Sequence, residues 1–540
     1  MPGPPGTLDQ MKVVIPATNV AELLSRRAAR QGERVALVDG DRRITWSKLE
    51  ELVDDLSRGM TGQGLVGGQR VAIALENSLE LVVTYLATLR GGMVAVPLKP
   101  GCATGDLARM LADSGARWCF ADASTIRSVR GAVGGIADAC AGGGDDLPAS
   151  VVIPKTAVIG SPALPGEAAF DGLLRATGPS VSTPLDSEAL AVLLYPAGTS
   201  DRPGAVMLTH RALLANIDQA ARVKPPMVRR DDVVLGVVPL SHLYGLNAVL
   251  GQVLLYGATL VLARRFEVDE TLRLIEAEQV TCVPVFPPVL AAWRTVPDAR
   301  ARLGSVRTLL SGAGPLSAEQ VQAFEAATGL KVEQGYELPE AAPVVTSTVG
   351  SVRAKPGSVG RAVPGVELRV VDPAGRDAAV GDPGEISVRG ANLLSGYWPT
   401  GEGGPGEGGW FATGDVGFLD SDGELYLVDR LTEIVIVSGF NVYPSEIEEV
   451  ICEVPGVAEC AVIGAPDGAT GEAVVALVVA AAASDADLGE VVREHCQRRL
   501  ARFKVPTSVR VMAELPHSAT GAADKHRLRD LEARRVLGLA

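Results

Sequence analysis

Short apolar runs rich in Val and Leu recur along the chain, and most are followed by a segment whose apolar positions repeat at helical spacing. Residues 71–75 predict a buried strand, 78–90 a helix and 93–97 a second strand. Residues 233–239, 259–263, 282–286 and 306–311 repeat the strand pattern, separated by helix-like segments such as 243–255 and 269–278. A strand that is apolar at nearly every position is covered on both faces, which a parallel sheet between helix layers provides. The pattern predicts an α/β fold, and no fixed-period internal repeat interrupts it.

Two stretches break the alternation. Residues 131–184 are rich in Gly, Ala, Ser and Pro and predict a surface excursion, while 399–409 (PTGEGGPGEGG) predict a flexible acidic loop. Beyond Asp429 the character changes to a compact alternation of strands and helices over 433–437, 444–452, 457–464, 473–481 and 487–499. A boundary there divides the 540 residues into a large multi-layered N-terminal domain, 1–428, with largely parallel sheets, and a small mobile C-terminal α+β domain, 429–540.

Composition narrows the partners. Hydrophobic residues make up 47% and aromatics only 4%, so the core is built mostly from Ala, Val and Leu. With a net charge of −14 and no long basic run, a nucleic acid is not an expected partner. The seven cysteines are scattered without metal-ligand spacing, as expected of small buried residues in a reducing cytosol. The start lacks a basic-then-apolar leader, and the longest apolar stretches, 189–195 and 473–483, are too short to span a bilayer. These features predict a cytoplasmic protein with no membrane span.

Candidate chemistry begins at Leu194-Tyr195-Pro196-Ala197-Gly198-Thr199-Ser200-Asp201-Arg202-Pro203-Gly204-Ala205-Val206-Met207-Leu208-Thr209-His210. This segment resembles the phosphate loop of the adenylate-forming superfamily, which includes acyl-CoA synthetases, luciferases and nonribosomal adenylation domains. The usual pattern is Tyr-Thr-Ser-Gly-Thr-Thr-Gly-x-Pro-Lys-Gly. Here Pro196-Ala197 replace Thr-Ser, Ser200-Asp201 replace Thr-Gly, and Gly204 replaces the lysine. A loop of this kind grips phosphate with backbone N–H groups, hydroxyls and a cation. Pro196 removes an N–H, Ala197 a hydroxyl and Gly204 the cation, while Asp201 adds a charge of the wrong sign. Gly198, Thr199 and Ser200 remain as the phosphate-binding residues, with Thr199 also a ligand for Mg²⁺.

Further motifs follow in the superfamily's order. Pro239-Leu240-Ser241-His242-Leu243-Tyr244-Gly245 resembles the acyl-pocket segment, which makes His242 the residue bordering the substrate carboxylate. An apolar lining from Leu243, Leu246, Val249 and Leu250 favours an aliphatic or aryl acid, and no Asp stands out to receive an amino group. The turn containing Gly312, Ala313 and Gly314 resembles the one along the adenine, where small residues admit a flat base. Gly335-Tyr336-Glu337-Leu338-Pro339-Glu340 is similar to Tyr-Gly-x-Thr-Glu, so Tyr336 is expected against adenine and Glu340 on Mg²⁺. Glu337 stands in place of the glycine and Pro339 in place of the threonine.

In Thr413-Gly414-Asp415, Asp415 is expected to accept both ribose hydroxyls, with Arg430 reaching phosphate or ribose. Ser438, Gly439 and Tyr443 lie in a segment similar to the thioester-forming loop, although Thr432 occupies the usual hinge position. In Leu515-Pro516-His517-Ser518-Ala519-Thr520-Gly521-Ala522 the lysine that bridges carboxylate and α-phosphate has become Ala522, and Lys525 lies three residues on. The resemblance thus implies an AMP-forming ligase that uses ATP and Mg²⁺ to adenylate a carboxylic acid. It then passes the acyl group to CoA or to carrier-protein phosphopantetheine, the carrier acting in trans, after the C-terminal domain rotates. The altered positions cluster on adenylation. They favour weakened or altered adenylation, with a non-catalytic nucleotide- or acyl-binding relative, or a ligase turned to an acceptor such as an amine, as the alternatives.

Overall fold

The computed structural model describes residues 15, 17–141, 151–175, 186–196, 204–314, 316–351, 355–430, 433–437, 440–467, 471–481, 488–517 and 521–536. The chain forms two compact units. The first comprises Met1–Pro196, Arg202–Glu367 and Arg389–Phe411, and the second comprises Ala197–Asp201, Leu368–Val388 and Ala412–Ala540.

Two seven-stranded sheets organise the first unit. One runs in the order Ala168–Ala169, Lys155–Val158, Trp118–Ala121, Arg70–Ala74, Val94–Pro97, Leu190–Leu194, Val206–Thr209. Its strands pair in parallel except for the last pair, Leu190–Leu194 with Val206–Thr209. The other runs Val332–Gln334, Thr308–Ser311, Cys282–Val285, Val233–Gly236, Thr259–Leu262, Val35–Asp39, Arg42–Thr45, again parallel apart from its closing hairpin. Helix Leu79–Arg90 is buried at every position but Glu80, as its apolar sequence requires. Ser78 caps it by accepting the Leu81 N–H. Asn77 links this helix start to the second sheet, donating to Gly236 O at 3.1 Å and Val238 O at 3.0 Å and accepting from Leu240 N–H at 2.8 Å.

The pleat of the second sheet divides its residues between two environments. Val283, Val285 and Leu309 enter a core with Leu272, Ile275, Trp293 and Phe324. Their strand neighbours Cys282, Pro284 and Leu310 face the other way, with Pro284 paired to Leu310 and Leu310 to Glu333.

The second unit holds two sheets. Val366–Val371, Gly384–Gly390, Phe411–Leu419 and Leu425–Arg430 form a four-stranded sheet whose residues from 368–388 and from 412 onward belong to this unit. A five-stranded sheet runs Phe440–Val442, Val435–Val437, Gly471–Ala480, Val457–Asp467, with Ser508–Met512 pairing in parallel to Gly471–Ala480. Helices Pro444–Cys452 and Leu488–Arg499 cover it, burying Ile447, Ile451, Val492 and Cys496.

One expectation is corrected. Residues 131–184 are not a plain surface excursion: Ile126–Ala141 is a helix burying Val129, Ala132 and Ile136, and Lys155–Val158 is a sheet strand. The glycines at 131, 134 and 135 still leave one apolar stripe, which tertiary packing uses despite their cost to a helix. The loop 399–409 is held by backbone bonds, among them Tyr397 N–H to Glu402 O and Gly406 N–H to Trp410 O, both 2.8 Å, and the Arg389 guanidinium lies over the Trp410 ring. No helix among the described residues is long and apolar enough to cross a membrane.

Trp293 is fully buried in the core behind the second sheet. Trp293→Ala is expected to lower the stability of the first unit by about 3–5 kcal/mol, read from urea unfolding followed by hydrogen exchange on strands of that sheet.

Candidate active site

The face of the second sheet turned away from its core bounds a cavity. Val234, Cys282, Pro284, Leu310, Ser311 and Glu333 line it from the sheet, and Gly335, Glu337, Val344 and Thr346 from the segments that follow. Its empty space, open mouth included, is about 560 Å³.

The opposite wall is a π-helix, Tyr244–Val249, running into helix Leu250–Tyr256. A π turn is rare and marks sites where a side chain has to be re-aimed. Tyr244, Ala248 and Gln252, four residues apart, form the cavity stripe together with Val249. This corrects the expected lining: only Val249 of the four anticipated residues faces the cavity, because Leu243, Leu246 and Leu250 point around the helix into buried packing. Asn247 fixes the wall by donating to Leu213 O at 3.1 Å and Ala342 O at 2.7 Å. The Tyr244 hydroxyl donates to Leu310 O at 3.2 Å, joining wall to sheet.

Tyr336 and Glu337 are placed by a short antiparallel return with residues 343–346. Tyr336 N–H donates to Thr346 Oγ1 at 2.9 Å, and Glu337 bridges Val344. Asn216 clamps Val344 from both sides of its peptide, at 2.7 and 3.0 Å. Tyr336 is buried.

Glu337, which no expectation singled out for binding, has the most unusual environment. The residue is half-buried overall, but its carboxylate end is sealed: Oε2 is buried and has no hydrogen-bond partner among the described residues. Both carboxylate oxygens lie 2.8 Å from where a Cβ on Gly312 would stand, so this glycine is what makes room for the side chain. Ala313, in the left-handed region with φ 59°, supplies a backbone N–H to the carboxyl. That single donor does not offset burial, which pushes the carboxyl up to about 8. The Ser311 hydroxyl, buried in the same lining, also has no partner among the described residues. The signal available in the sequence was the departure itself, a glutamate where the motif has glycine.

His242 precedes the π-helix. The Tyr244 N–H donates to its Nδ1 at 3.3 Å, so the remaining ring proton sits on Nε2. Burial lowers the imidazole to about 4, making His242 a neutral hydrogen-bond donor at neutral pH. Glu340 is buried, and its Oε1 accepts the Tyr397 hydroxyl at 2.7 Å. No cluster of three or more His, Cys, Asp or Glu able to hold a metal occurs among the described residues. One oriented carboxylate nevertheless suits Mg²⁺, which takes few protein ligands and completes its shell with phosphate and water.

Gly198, Thr199 and Ser200 lie outside the described residues, as do Ser438 and Gly439. Gly204, just after the loop, has φ 139°, and a Cβ there would stand 2.6 Å from Trp398 O. Gly312, Ala313 and Gly314 form the turn after strand Thr308–Ser311, and Gly335 follows strand Val332–Gln334.

In the second unit Asp415 and Arg430 stand directly opposite each other in the antiparallel pair. The Asp415 N–H donates to Thr413 Oγ1 at 3.1 Å. Tyr443 is half-buried at the start of helix Pro444–Cys452. Lys525 is not a spare cation: its Nζ lies 3.0 Å from both Glu433 and Glu448, and these carboxylates raise it above the ordinary lysine value despite burial.

Residues 24–398 match the family described as "AMP-binding enzyme", and residues 446–522 match "AMP-binding enzyme C-terminal domain". 4-Coumarate–CoA ligase 5 of Oryza sativa subsp. japonica is 31% identical over 95% of this chain and 94% of its own length. The long-chain-fatty-acid–CoA ligase of Bacillus subtilis (strain 168) is also 31% identical, over 96% and 95%. The crystal structure of ATP-bound MatB from Rhodopseudomonas palustris superposes with a TM-score of 0.83 at 29% identity, covering 95% of this chain and 99% of that one.

Two measurements check this geometry. A glutamate ionises near 4.5 when unfolded, whereas Glu337 in place holds its proton up to about 8. The folded state therefore binds the extra proton between these values, and stability falls as pH rises through that window, by roughly 4 kcal/mol at its upper end. Glu337→Gln is expected to remove this loss, seen as a flatter urea midpoint between about pH 5 and about pH 8. Gly204→Lys is expected to lower the melting temperature by several degrees, since it places a Cβ against the Trp398 carbonyl at positive φ; an unchanged melting temperature would contradict the geometry.

Proposed function

The chain belongs to the AMP-binding enzyme family, and from that premise we propose that it is an acyl-activating ligase with a weakened adenylation step. It joins a carboxylic acid to AMP at the expense of ATP, and then transfers the acyl group to the thiol of CoA or of carrier-protein phosphopantetheine in the cytoplasm. The observation that carries this reading is the convergence of Tyr244, Ser311, Gly335 and Glu337 on one cavity. They come from the three segments that resemble the acid- and adenine-binding parts of the superfamily.

In the first step an oxygen of the substrate carboxylate attacks the α-phosphorus of ATP. The bond from that phosphorus to pyrophosphate breaks, leaving acyl-AMP. His242, neutral and with its proton on Nε2, donates a hydrogen bond to the carboxylate and orients it without adding charge. Gly312, Ala313, Gly314 and Tyr336 take the adenine, and Asp415, beside Arg430, takes the ribose hydroxyls. Glu340, held by Tyr397, and Thr199 would hold Mg²⁺, which when bound neutralises phosphate charge. In the second step a thiolate admitted by Ser438, Gly439 and Tyr443 attacks the acyl carbon, and the bond to AMP breaks.

Three features support a weak first step. Ala522 and Gly204 stand where the superfamily has lysines. The strained setting of Gly204 bars a simple return of the side chain, and Lys525 is already engaged by Glu433 and Glu448. A missing charge-stabilising donor typically costs ~10²–10³ in rate.

Carboxylate-dependent ATP–pyrophosphate exchange across a panel of acids tests the reading, followed by supply of synthetic acyl-AMP with CoA. Slow exchange together with faster thioester formation from acyl-AMP is the expected result. Absence of both, with ATP still bound, would leave a nucleotide-binding protein without turnover. Ala522→Lys is expected to raise exchange by ~10-fold or more, and Asp415→Ala to weaken ATP binding measured by calorimetry.

A further inference from the structure

We propose that the acid this enzyme accepts carries an ammonium group, and that Glu337, with Ser311 beside it, is the residue pair that receives it. The inference rests on the acyl-activating reading and deepens it to a substrate class. The cavity lining, among the described residues, contains no Lys, Arg or His. Its two carboxylates are not equivalent. Glu333 is satisfied by Lys331 Nζ at 2.6 Å and by the Thr348 hydroxyl at 2.7 Å. Glu337 has one backbone donor and a buried, unpartnered oxygen.

A simple carboxylate finds no cation in this lining and leaves the Glu337 carboxyl protonated and unpaired, so it gains no ion pair there. An amino-bearing acid does gain one: its ammonium pairs with Glu337, and its own carboxylate lies away from that end of the cavity. Burying an ionisable group without partners is costly, and a partner supplied by the ligand removes that cost on binding. Ser311 adds a hydroxyl that accepts a second N–H from the same ammonium. Met227, Val228, Val234, Val249 and Val344 give the lining an apolar stretch, while Gln252, Gln334, Thr346 and Ser347 are its remaining polar side chains. The apolar stretch suits an aryl or aliphatic body between the two charged ends.

Gly312 supplies the independent observation. Its missing side chain is filled by the Glu337 carboxylate at 2.8 Å, so the two positions fit together as glutamate and glycine. A glutamate at 337 tolerated only as a passive surface variant would turn its carboxylate to water rather than seat it against this glycine. Docking an ammonium on Glu337, which is protonated in the empty cavity at neutral pH, releases one proton from the carboxyl to the buffer. The ammonium keeps its own protons.

The test is calorimetric binding of matched acids to the full-length protein: hexanoate with 6-aminohexanoate, 3-phenylpropanoate with phenylalanine, and benzoate with 3-(aminomethyl)benzoate. Each is measured in buffers of different ionisation enthalpy. In at least one pair the amino acid should bind tighter by about tenfold or more, with close to one proton released. Glu337→Gln should abolish both the preference and the proton release, and Glu337→Gly, which restores the residue usual in the motif, serves if the glutamine variant does not fold. The proposal is overturned if the plain acids bind as well as or better than their amino partners, if neither member of any pair binds, or if the preference survives both substitutions. Binding is read without turnover, so the two readings fail separately. Amino preference without exchange activity would refute the ligase reading alone. Exchange driven only by plain acids would refute the substrate class alone.

Discussion

Strand Cys282–Val285 has to serve two environments at once, and the arrangement of the first unit follows from that demand. Val283 and Val285 enter the core with Trp293 and Phe324, while Cys282 and Pro284 on the alternate face line a cavity. Because the strand period is two, slipping its register by one residue would exchange those faces. The pairings Pro284–Leu310 and Leu310–Glu333 extend the division across the neighbouring strands, so core packing on one side sets which residues a ligand meets on the other. Tyr244 and Asn247 secure the opposite wall to this sheet and to Leu213 and Ala342, so the cavity has walls tied by hydrogen bonds rather than by shape alone.

Much of the fold could be anticipated because its strands are short, β-branched and apolar on both faces. The expected 71–75, 93–97, 259–263 and 282–286 became Arg70–Ala74, Val94–Pro97, Thr259–Leu262 and Cys282–Val285. Helix Ile126–Ala141 was missed because Gly131, Gly134 and Gly135 argue against a helix, and packing of Val129, Ala132 and Ile136 overrides them. The acyl-wall residues were misassigned for a different reason. An ordinary helix of 3.6 residues per turn was assumed where a π turn sets the face, and nothing local in Tyr244–Val249 announces that geometry.

The chemistry was legible wherever a residue's role follows from its motif, and illegible wherever it follows from its surroundings. Sequence marked His242 as a pocket residue, but its neutral state and the position of its proton come from burial and from the Tyr244 N–H. Lys525 lies three residues from Ala522, yet two carboxylates distant in sequence from it, Glu433 and Glu448, occupy its ammonium. Glu337 was visible as a departure from a glycine, but its significance depends on an oxygen without a partner and on the empty side of Gly312, neither of which a linear motif contains.

Gly204 bears on how such a sequence changes over time. Once the chain at this position had settled at φ 139° with the Trp398 carbonyl filling the space of a side chain, the route back to a lysine ceased to be a single substitution. A reversion requires the 397–398 turn to move first or together with it, and each intermediate carries the strain of a side chain at positive φ. The loss of the cation therefore works as a ratchet. A chain with this backbone is held to solutions that do without a side chain at position 204.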